Sequence, residues 1–493
     1  MASRLYFMSY RTTAILACFA SFGVWRGTVR AEDTNGCPAA HDPSQAQSSG
    51  MGTNLDSPVG RQQWNWHVQN TDIVQGDFGF PAKYSGPNSL STQPQVQETV
   101  TLDLFGGVRL WPGAEVHVDG LMWQGFGLSQ TFGVEGFPNG DAYKAGTQTP
   151  DLTFARLFLR QTFGLGGVQE EVPDDQLTLA GKEDVSRLTV TFGRFTPKDI
   201  FDDNAYANDP HTQFLNWDFM GNLTWDYGED TIGYTTGIAL ELNQLNWAIR
   251  YGFFQMPAAK NGFTGDDQVL TWPSKGAYGP FSQSWAMAAE FERRYRIHGH
   301  PGTIRFLGWL DEADFATYSA ATAYLLANPP SPNAPSGSGG DVPDSVRSYR
   351  LKYGFGLSWD QELSKDIGLF SRLGWNDGQE ETWTFTDVND TASLGVSVNG
   401  GKWQRPGDTF ALAGALNGAS RANQKFLQAG GLDMLDGDGN LNYGWEKVLE
   451  TYYDLRVWRT IHLTADYQFI ANPAFNRDRG PVSIFGARLH WEL

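Results

Sequence analysis

Apolar and polar residues alternate along much of the chain beyond residue 60, and a period of two residues is typical of a β-strand. Between 448 and 457, the apolar residues Leu449, Leu455 and Val457 alternate with Glu450 and Asp454. Runs of the same kind occupy 245–253, 349–359 and 461–469. The pattern therefore predicts many antiparallel strands, each with one apolar face and one polar face.

A soluble β-sandwich alternates in the same way, but two features of the runs favour a membrane barrel. The runs are about ten residues or longer, which is the length that a tilted strand needs to cross a bilayer. Their apolar faces also have Tyr and Trp towards the ends, as the aromatic girdle of a barrel does. Apolar positions such as Leu463 are therefore expected to face lipid and to reject arginine, whereas Thr464 is expected to face the lumen and to accept it.

The connections between strands differ in length in a way that is typical of outer-membrane barrels, which have short periplasmic turns and long external loops. Short connections are predicted at 243–244, 298–300, 362–365 and 458–459. Long polar connections are predicted at 256–283, 312–345, 418–447 and 471–480.

The number of strands can be checked by parity, because a single-chain bacterial barrel has an even number. About 17 candidate strands can be counted, and the short turns all fall on the periplasmic side only if 222–227 is not a strand. The segment 196–230 then becomes one long external connection, and 164–186 a long periplasmic link that the pattern does not explain. The predicted fold class is an all-β, transmembrane antiparallel β-barrel of about 16 strands, formed by residues 61–493.

The last strand resembles the assembly signal of outer-membrane proteins. Phe485, Leu489 and Trp491 share one face, and the chain ends at Leu493. Phenylalanine is the usual terminal residue of this signal, so Leu493 puts the efficiency of assembly in doubt but not the class of protein.

Eight ordered blocks of the chain resemble the carbohydrate-selective porin (OprB) family. The blocks are RLWPG (109–113), QGFGLSQTFGVEGFPNGDAYK (124–144), RLFLRQTFG (156–164), FDDNAYAND (201–209), GLFSRLGWNDG (368–378), RPGD (405–408), ETYY (450–453) and DYQFIANPAFNRDRGPVSIFGAR (466–488). The resemblance implies a sixteen-stranded barrel in the outer membrane of a Gram-negative bacterium, with a constriction at arginines and passive uptake of small sugars. It also implies contacts with outer-membrane lipids and the barrel-assembly machinery. A monomer is a working hypothesis, with association of barrels left open.

The polar faces of the strands supply the candidate sugar contacts. Arginine offers a rigid fork of donors, carboxylates accept from sugar hydroxyls, and aromatic rings can stack on the C–H side of a sugar. The candidates are Arg109, Arg156, Arg160, Arg250, Arg350, Arg372, Arg456 and Arg488, with Glu450, Asp454, Asp466, Glu492, Tyr452 and Phe370. Arg109 and Arg160 are the leading ones, and a positively biased constriction is expected. For any single arginine, the alternative is a paired charge that only fills the polar lumen.

Composition excludes several other classes of function. The net charge of −19 argues against nucleic acid and against an anionic membrane surface as partner. No G-x-S-x-G, H-E-x-x-H or P-loop motif is present, so neither an enzyme nor a cofactor is expected. A channel or exporter for another small polar or anionic solute is the alternative, and a barrel that only anchors an enzyme or adhesin is a third possibility.

Metal-binding patterns are weak in this chain. His298 and His300 fall in a predicted tight turn rather than in a ligand pattern. The segment 436–440 (DGDGN) resembles the start of a calcium loop, but Leu441 replaces the sixth-position glycine and Lys447 replaces the twelfth-position glutamate. A plain polar loop is therefore the favoured interpretation.

The N-terminus reads as a secretory signal over residues 1–31. Arg4 and Arg11 precede an apolar stretch, and Ala31 ends a cleavage site, so that a flexible lead-in over 32–60 follows. Cys18 could instead belong to a lipoprotein signal, although its apolar lead-in is short. Cleavage after Ala31 leaves Cys37 as a single cysteine, which excludes an internal disulfide.

Overall fold

The computed structural model describes residues 61–143, 146–258, 260, 281, 283–329, 342–384 and 387–493. The predicted signal peptide, the lead-in and both cysteines lie outside the described residues, so these expectations stay predictions.

Sixteen strands form one closed antiparallel barrel, which confirms the predicted fold class. The barrel strands are Trp64–Asp77 (β1), Gln95–Trp111 (β2), Ala114–Gly125 (β3), Thr147–Gly164 (β4), Arg187–Phe195 (β7), Thr235–Gln244 (β8), Trp247–Gln255 (β9), Trp285–Ile297 (β10), His300–Ala313 (β11), Arg350–Ser364 (β12), Ile367–Asn376 (β13), Asp390–Asn399 (β14), Thr409–Gly418 (β15), Glu446–Trp458 (β16), Ile461–Ala471 (β17) and Val482–Glu492 (β18). Two short strands, Gln169–Val172 (β5) and Gly181–Asp184 (β6), form a separate hairpin.

The barrel closes between its first and last strands. Thr71 of β1 pairs with His490 of β18, and the pairing extends from Gln69 opposite Glu492 to Asp77 opposite Ile484. Closure satisfies the backbone hydrogen bonds of every strand, which a lipid-exposed sheet edge could not do.

Among the residues that the structure describes in the external connections, three α-helices are formed: Trp217–Met220 (α1), Tyr318–Ala327 (α2) and Arg421–Gln428 (α3). None of the helices in the described part of the chain is both long and apolar enough to cross a membrane.

The two faces of the strands follow the predicted alternation. Leu449 and Leu463 on the outer face are 43% and 45% exposed, whereas Glu450 on the inner face is fully buried. Exposed tryptophans such as Trp64 and Trp458 lie at one rim, and Tyr353 and Trp375 lie towards the other. This arrangement matches an apolar band between two aromatic girdles.

Thr464 faces inwards as expected, but its surroundings change one expectation. It is 1% exposed and is hydrogen-bonded to Asp454 and Arg488. An arginine at this position would place a second guanidinium in a packed wall, so Thr464→Arg should destabilise the barrel, contrary to what the alternation alone predicts.

The long external connections do not simply project from the barrel. The connection 196–234, between β7 and β8, is mostly buried and contains no barrel strand, in agreement with the exclusion of 222–227. Its aromatic residues Phe201, Phe214 and Trp225 belong to apolar clusters that include inward-facing residues of the barrel wall. The lumen is therefore partly filled by this connection.

The periplasmic link 165–186, which the sequence pattern does not explain, folds against the inner wall. Asn65 of β1 donates to the Asp174 carboxylate (2.8 Å), and Gln176 donates to Gln69 (2.8 Å). The β5–β6 hairpin forms the base of this segment. The link is thus a structured part of the periplasmic end and not an open loop.

Candidate functional site

The connection 196–234 is fixed to the barrel wall by charged side chains from strands far apart in the sequence. Arg372 of β13 donates to Asp202 (3.1 Å), and Arg488 of β18 donates to the carbonyls of Pro210 and Gln213 (both 2.7 Å). On β16, the Glu450 carboxylate accepts the backbone N–H groups of residues 215 and 216 (2.6 and 2.9 Å). Three strands of the barrel, β13, β16 and β18, therefore hold this connection inside the lumen.

Aromatic packing reinforces these anchors. The Phe214 ring contacts Phe370 of β13 (centroids 5.5 Å apart) and Tyr452 of β16 (5.0 Å). Phe219 packs against Phe214 and Phe370. Phe370 and Tyr452, which the sequence offers as stacking platforms for sugar, are covered by the connection instead.

A cavity of about 320 Å³ remains beside the connection. Its volume lies at the lower end of the range of about 300–1,000 Å³ that small-molecule sites occupy. The polar and aromatic residues that line it come from β1, β2, β4, the external connections 126–146 and 196–234, and the periplasmic link. They include Gln69, Asp103, Asp141, Tyr143, Arg156, Gln176, Lys198, Asp199, Asp209, His211, Trp217, Tyr227, Glu229 and Tyr234.

Arg156 lies on the inward-facing side of β4, next to a bulge in that strand. Asp119 of β3 pairs with Arg156, but the next residue of β3 pairs with Phe154, so Ala155 is an extra residue. Arg156 shares its inward orientation with Phe158 and Arg160, so the ordinary alternation of the strand directs it towards the lumen. The Arg156 guanidinium donates twice to Asp199 (both 2.8 Å) and once to Asp119 (2.6 Å).

His211 is the second fixed charge of the cavity. Its ring nitrogens lie 2.8 Å from Asp209 and 3.1 Å from Asp141. Burial lowers the pKa of the imidazole, but these two carboxylates outweigh burial and raise the pKa well above its ordinary value. The two carboxylates therefore favour the protonated form of this side chain.

The lining of the cavity is acidic, which differs from the positively biased constriction that the sequence suggests. It holds five carboxylates (Asp103, Asp141, Asp199, Asp209 and Glu229) against two basic side chains (Arg156 and Lys198), a formal charge of −3 if His211 is neutral and −2 if it is protonated. The difference arises because most of the inward-facing arginines bind protein groups elsewhere in the lumen.

Aromatic faces complete the cavity. The Phe137 and Trp217 rings stack with centroids 4.8 Å apart. The guanidinium of Arg156 lies 5.1 Å from the centre of the Tyr234 ring, and that of Arg194 lies 5.7 Å from it. Donors, acceptors and aromatic rings thus meet in one space.

The two leading arginines of the sequence analysis lie at the periplasmic link. Arg109 donates to the carbonyls of Gln62 and Leu179 and pairs with Glu115 (2.8 Å). Arg160 donates to the carbonyl of Leu177 (2.7 Å). Neither residue lines the cavity.

The other candidates divide into bound and exposed groups. Arg250 bonds to Glu241, Glu290 and Glu292 at 2.5–2.9 Å, whereas Arg350 and Arg456 are exposed near the strand ends. The remaining carboxylates each accept a hydrogen bond within the lumen: Asp454 from Thr464, Asp466 from Gln468 and Glu492 from Gln176. The structure therefore brings Arg156 alone of the predicted set to the cavity.

Period-two alternation could not identify the cavity residues in the connections, since connections have no period. Several of them, including Asp141, Tyr143 and Asp209, nevertheless lie inside the sequence blocks 124–144 and 201–209 that resemble the porin family. The position of these residues within the blocks was the sequence signal that could have identified them as cavity residues.

A closed sixteen-stranded barrel with external connections folded into its lumen defines the class of outer-membrane porins. The family model described as "Carbohydrate-selective porin, OprB family" matches residues 87–493. The chain belongs to this family, and passive diffusion of carbohydrates across the outer membrane is the function that its membership supports.

Several solved outer-membrane proteins are similar to this chain, and the first of them supports the fold. The high-pH structure of Pseudomonas putida OprB is similar with a TM-score of 0.64 and 15% identity, covering 87% of this chain and 94% of that chain. The low-pH structure of the same protein has a TM-score of 0.46 and 11% identity, over 87% and 93% of the two chains. The channel DcaP of Acinetobacter baumannii has a TM-score of 0.45 and 9% identity, over 90% and 99%. No curated protein matches the sequence.

Proposed function

We propose that small neutral sugars pass through the cavity beside the connection 196–234, with Arg156, Lys198, Asp141, Asp199 and Asp209 as their polar contacts. The observation that supports this proposal is the convergence of fixed donors, acceptors and aromatic rings in one cavity. Sugar hydroxyls both donate and accept, so a mixed lining suits them better than a lining of one charge. The acidic excess disfavours anionic solutes.

We further propose that transport is passive and that the protein catalyses no reaction. A solute must enter readily and also leave, so binding has to be weak. The fixed ion pairs of Arg156 and His211 suit such binding, because they orient a solute without a large rearrangement.

Liposome swelling tests the solute class. A neutral hexose should enter proteoliposomes faster than its uronic acid, which has a carboxylate on nearly the same ring. Addition of the hexose should also reduce the ion current through single channels. Faster entry of the acid, together with no block by the neutral sugar, would instead support the alternative of a channel for anionic solutes.

The proposed partners follow from the outer surface. Apolar side chains such as Leu394 and Phe306, which are 59% and 50% exposed, are suited to lipid contact. The apolar face of β18 is suited to recognition by the assembly machinery. A single closed barrel is the proposed working unit, and light scattering in mild detergent should give the mass of one chain.

A further inference from the structure

Three carboxylates from three separate external connections meet inside the protein. They are Glu135, between β3 and β4, Asp387, between β13 and β14, and Asp436, between β15 and β16. One oxygen from each lies within 4.8 Å of the others. Glu135 and Asp387 are fully buried, and Asp436 is 1% exposed.

Protein donors satisfy only part of this cluster. The Asp387 N–H donates to one Glu135 oxygen (3.2 Å), and the Leu435 N–H donates to one Asp387 oxygen (2.7 Å). The Thr382 side chain also donates to the Asp387 carboxylate. Within the described residues, one oxygen of Glu135, one of Asp387 and both of Asp436 receive no hydrogen bond. Unpaired carboxylate oxygens at this depth are costly.

The neighbouring charges are engaged elsewhere. Lys260 pairs with Asp433 (2.7 Å) and Glu381 (3.0 Å). Asp438, two residues after Asp436, pairs with Arg479 (3.2 Å) and accepts from Asn476. These pairs leave the cluster of three carboxylates with an excess of negative charge.

Glu446 lies beside the cluster but is already satisfied. Its carboxylate accepts the backbone N–H groups of Glu135, Gly136 and Ala474, at 2.8–3.2 Å. It therefore serves to position the connection that bears Glu135, and it is not needed as a ligand.

The electrostatics of the cluster agree with its geometry. Burial raises the pKa of all three carboxyls, and neighbouring carboxylates raise it further. A bound cation would remove both penalties, because it replaces the missing hydrogen bonds and the missing counter-charge.

We propose that Glu135, Asp387 and Asp436 bind one calcium ion, which links three external connections at the mouth of the barrel. Hard cations prefer oxygen ligands, and Ca²⁺ accepts them at about 2.3–2.6 Å in flexible geometry. One oxygen of each carboxylate lies within 4.8 Å of the others, which is close enough for one ion to contact all three. A site made of three protein carboxylates suits Ca²⁺ better than Mg²⁺, because Mg²⁺ usually keeps several waters and binds through one or two carboxylates.

The site differs from the calcium loop that 436–440 resembles in sequence. In a continuous loop, successive residues of one segment would bind the ion. Here only Asp436 of that segment joins the cluster, and Asp438 is paired with Arg479. The favoured interpretation of a plain polar loop therefore does not describe Asp436, which is buried among acidic partners from two other connections.

Equilibrium dialysis with radioactive calcium tests the site on the folded wild-type barrel in detergent, after treatment with a chelator. We expect saturable binding of one ion per chain, and a melting temperature that rises with calcium and falls again with chelator. The double variant Asp387→Asn/Asp436→Asn should lose both effects. The control Asp311→Asn should keep them, because Asp311 of β11 is fully buried, has no hydrogen-bond partner among the described residues and lies outside the cluster.

The wild-type measurement decides the proposal even if the double variant does not fold. Absence of saturable calcium binding to the folded wild-type protein would overturn it. Equal binding by the folded double variant would also overturn it, and displacement of calcium by magnesium at equal concentration would overturn the assignment to calcium.

Discussion

At the scale of single residues, the charged side chains of the lumen fall into two groups with different surroundings. Arg372 and Arg488 donate to the backbone or side chains of the connection 196–234 and are at most 1% exposed. Arg156 is also held by carboxylates but borders the cavity. Only the second kind of arginine can contact a solute while it remains in place.

Replacement of Arg156 by glutamine should weaken block of the ion current by sugar about five- to tenfold. Loss of one hydrogen bond from a charged donor costs about 1.5–3 kcal/mol in general, and a solvated sugar should be near or below the lower end of that range. The variant also leaves Asp119 and Asp199 without their cation, so selectivity should shift towards cations. Current block and reversal potential in planar bilayers measure the two effects.

Arg350→Gln is the matched control for this prediction. It removes the same charge at an exposed position at the start of β12, and it should leave sugar block unchanged. Wild-type sugar block in Arg156→Gln would remove this residue from the proposed pathway.

His211 should make stability depend on pH in a defined direction. Asp209 and Asp141 raise the pKa of the folded-state imidazole well above its ordinary value of 6.5. Below this ordinary pKa, the ion pairs therefore make their full contribution to the free energy of unfolding. This contribution is lost as the pH rises through the raised pKa of the folded state. His490, stacked 6.3 Å away, faces the same ring.

Denaturant midpoints of wild type and His211→Gln should therefore converge as the pH becomes alkaline. Below the ordinary histidine pKa, the wild type should be the more stable of the two. His298→Gln, at an exposed turn between β10 and β11, should follow the wild-type curve. A difference between wild type and His211→Gln that grows with pH would contradict the assigned sign.

At the scale of elements, the connection 196–234 behaves as an internal part of the barrel because its anchors are numerous and buried. If Arg488 is replaced by methionine, the carbonyls of Pro210 and Gln213 lose a charged donor. The free energy of unfolding should fall by about 1.5–3 kcal/mol. Part of the connection should also become mobile. The single-channel conductance should then rise, and the connection should be digested more readily by protease.

Arg456→Met provides the comparison for the anchor, because Arg456 is exposed near the periplasmic end of β16. This variant should keep wild-type conductance and protease resistance. Unchanged conductance and digestion in Arg488→Met would mean that the other anchors suffice to hold the connection.

The strands could be predicted from the sequence, whereas the anchors and the cavity could not. Alternation such as Leu449 with Glu450 reports directly which side chain faces lipid, because the period of a strand is fixed. The contact of Arg488 with Pro210 joins residues 278 positions apart, and that of Asn65 with Asp174 joins residues 109 apart. No local pattern encodes such contacts, so the sequence points to Arg109 and Arg160 rather than to the cavity residues in the connections.

At the scale of the whole molecule, the barrel wall separates lipid, which requires apolar side chains, from a lumen, which requires polar ones. Its outer face is an apolar band, and its lumen is filled by charged and aromatic groups that bind one another. The excess of acidic residues in the cavity follows from this filling, since basic side chains such as Arg372 and Arg488 serve as anchors while Asp103 and Asp141 line the open space.

An arginine on the outer face should destabilise the barrel according to its depth in the bilayer. Leu394 lies in the middle of β14 and is 59% exposed, whereas Leu110 lies one residue before the end of β2 and is 48% exposed. Leu394→Arg should cost about 2–4 kcal/mol and Leu110→Arg about 0–1 kcal/mol, because a guanidinium near the rim reaches the headgroups. Reversible unfolding by denaturant in lipid vesicles measures both values. Equal costs at the two positions, or a larger cost for Leu110→Arg, would contradict the proposed position of the bilayer around the barrel.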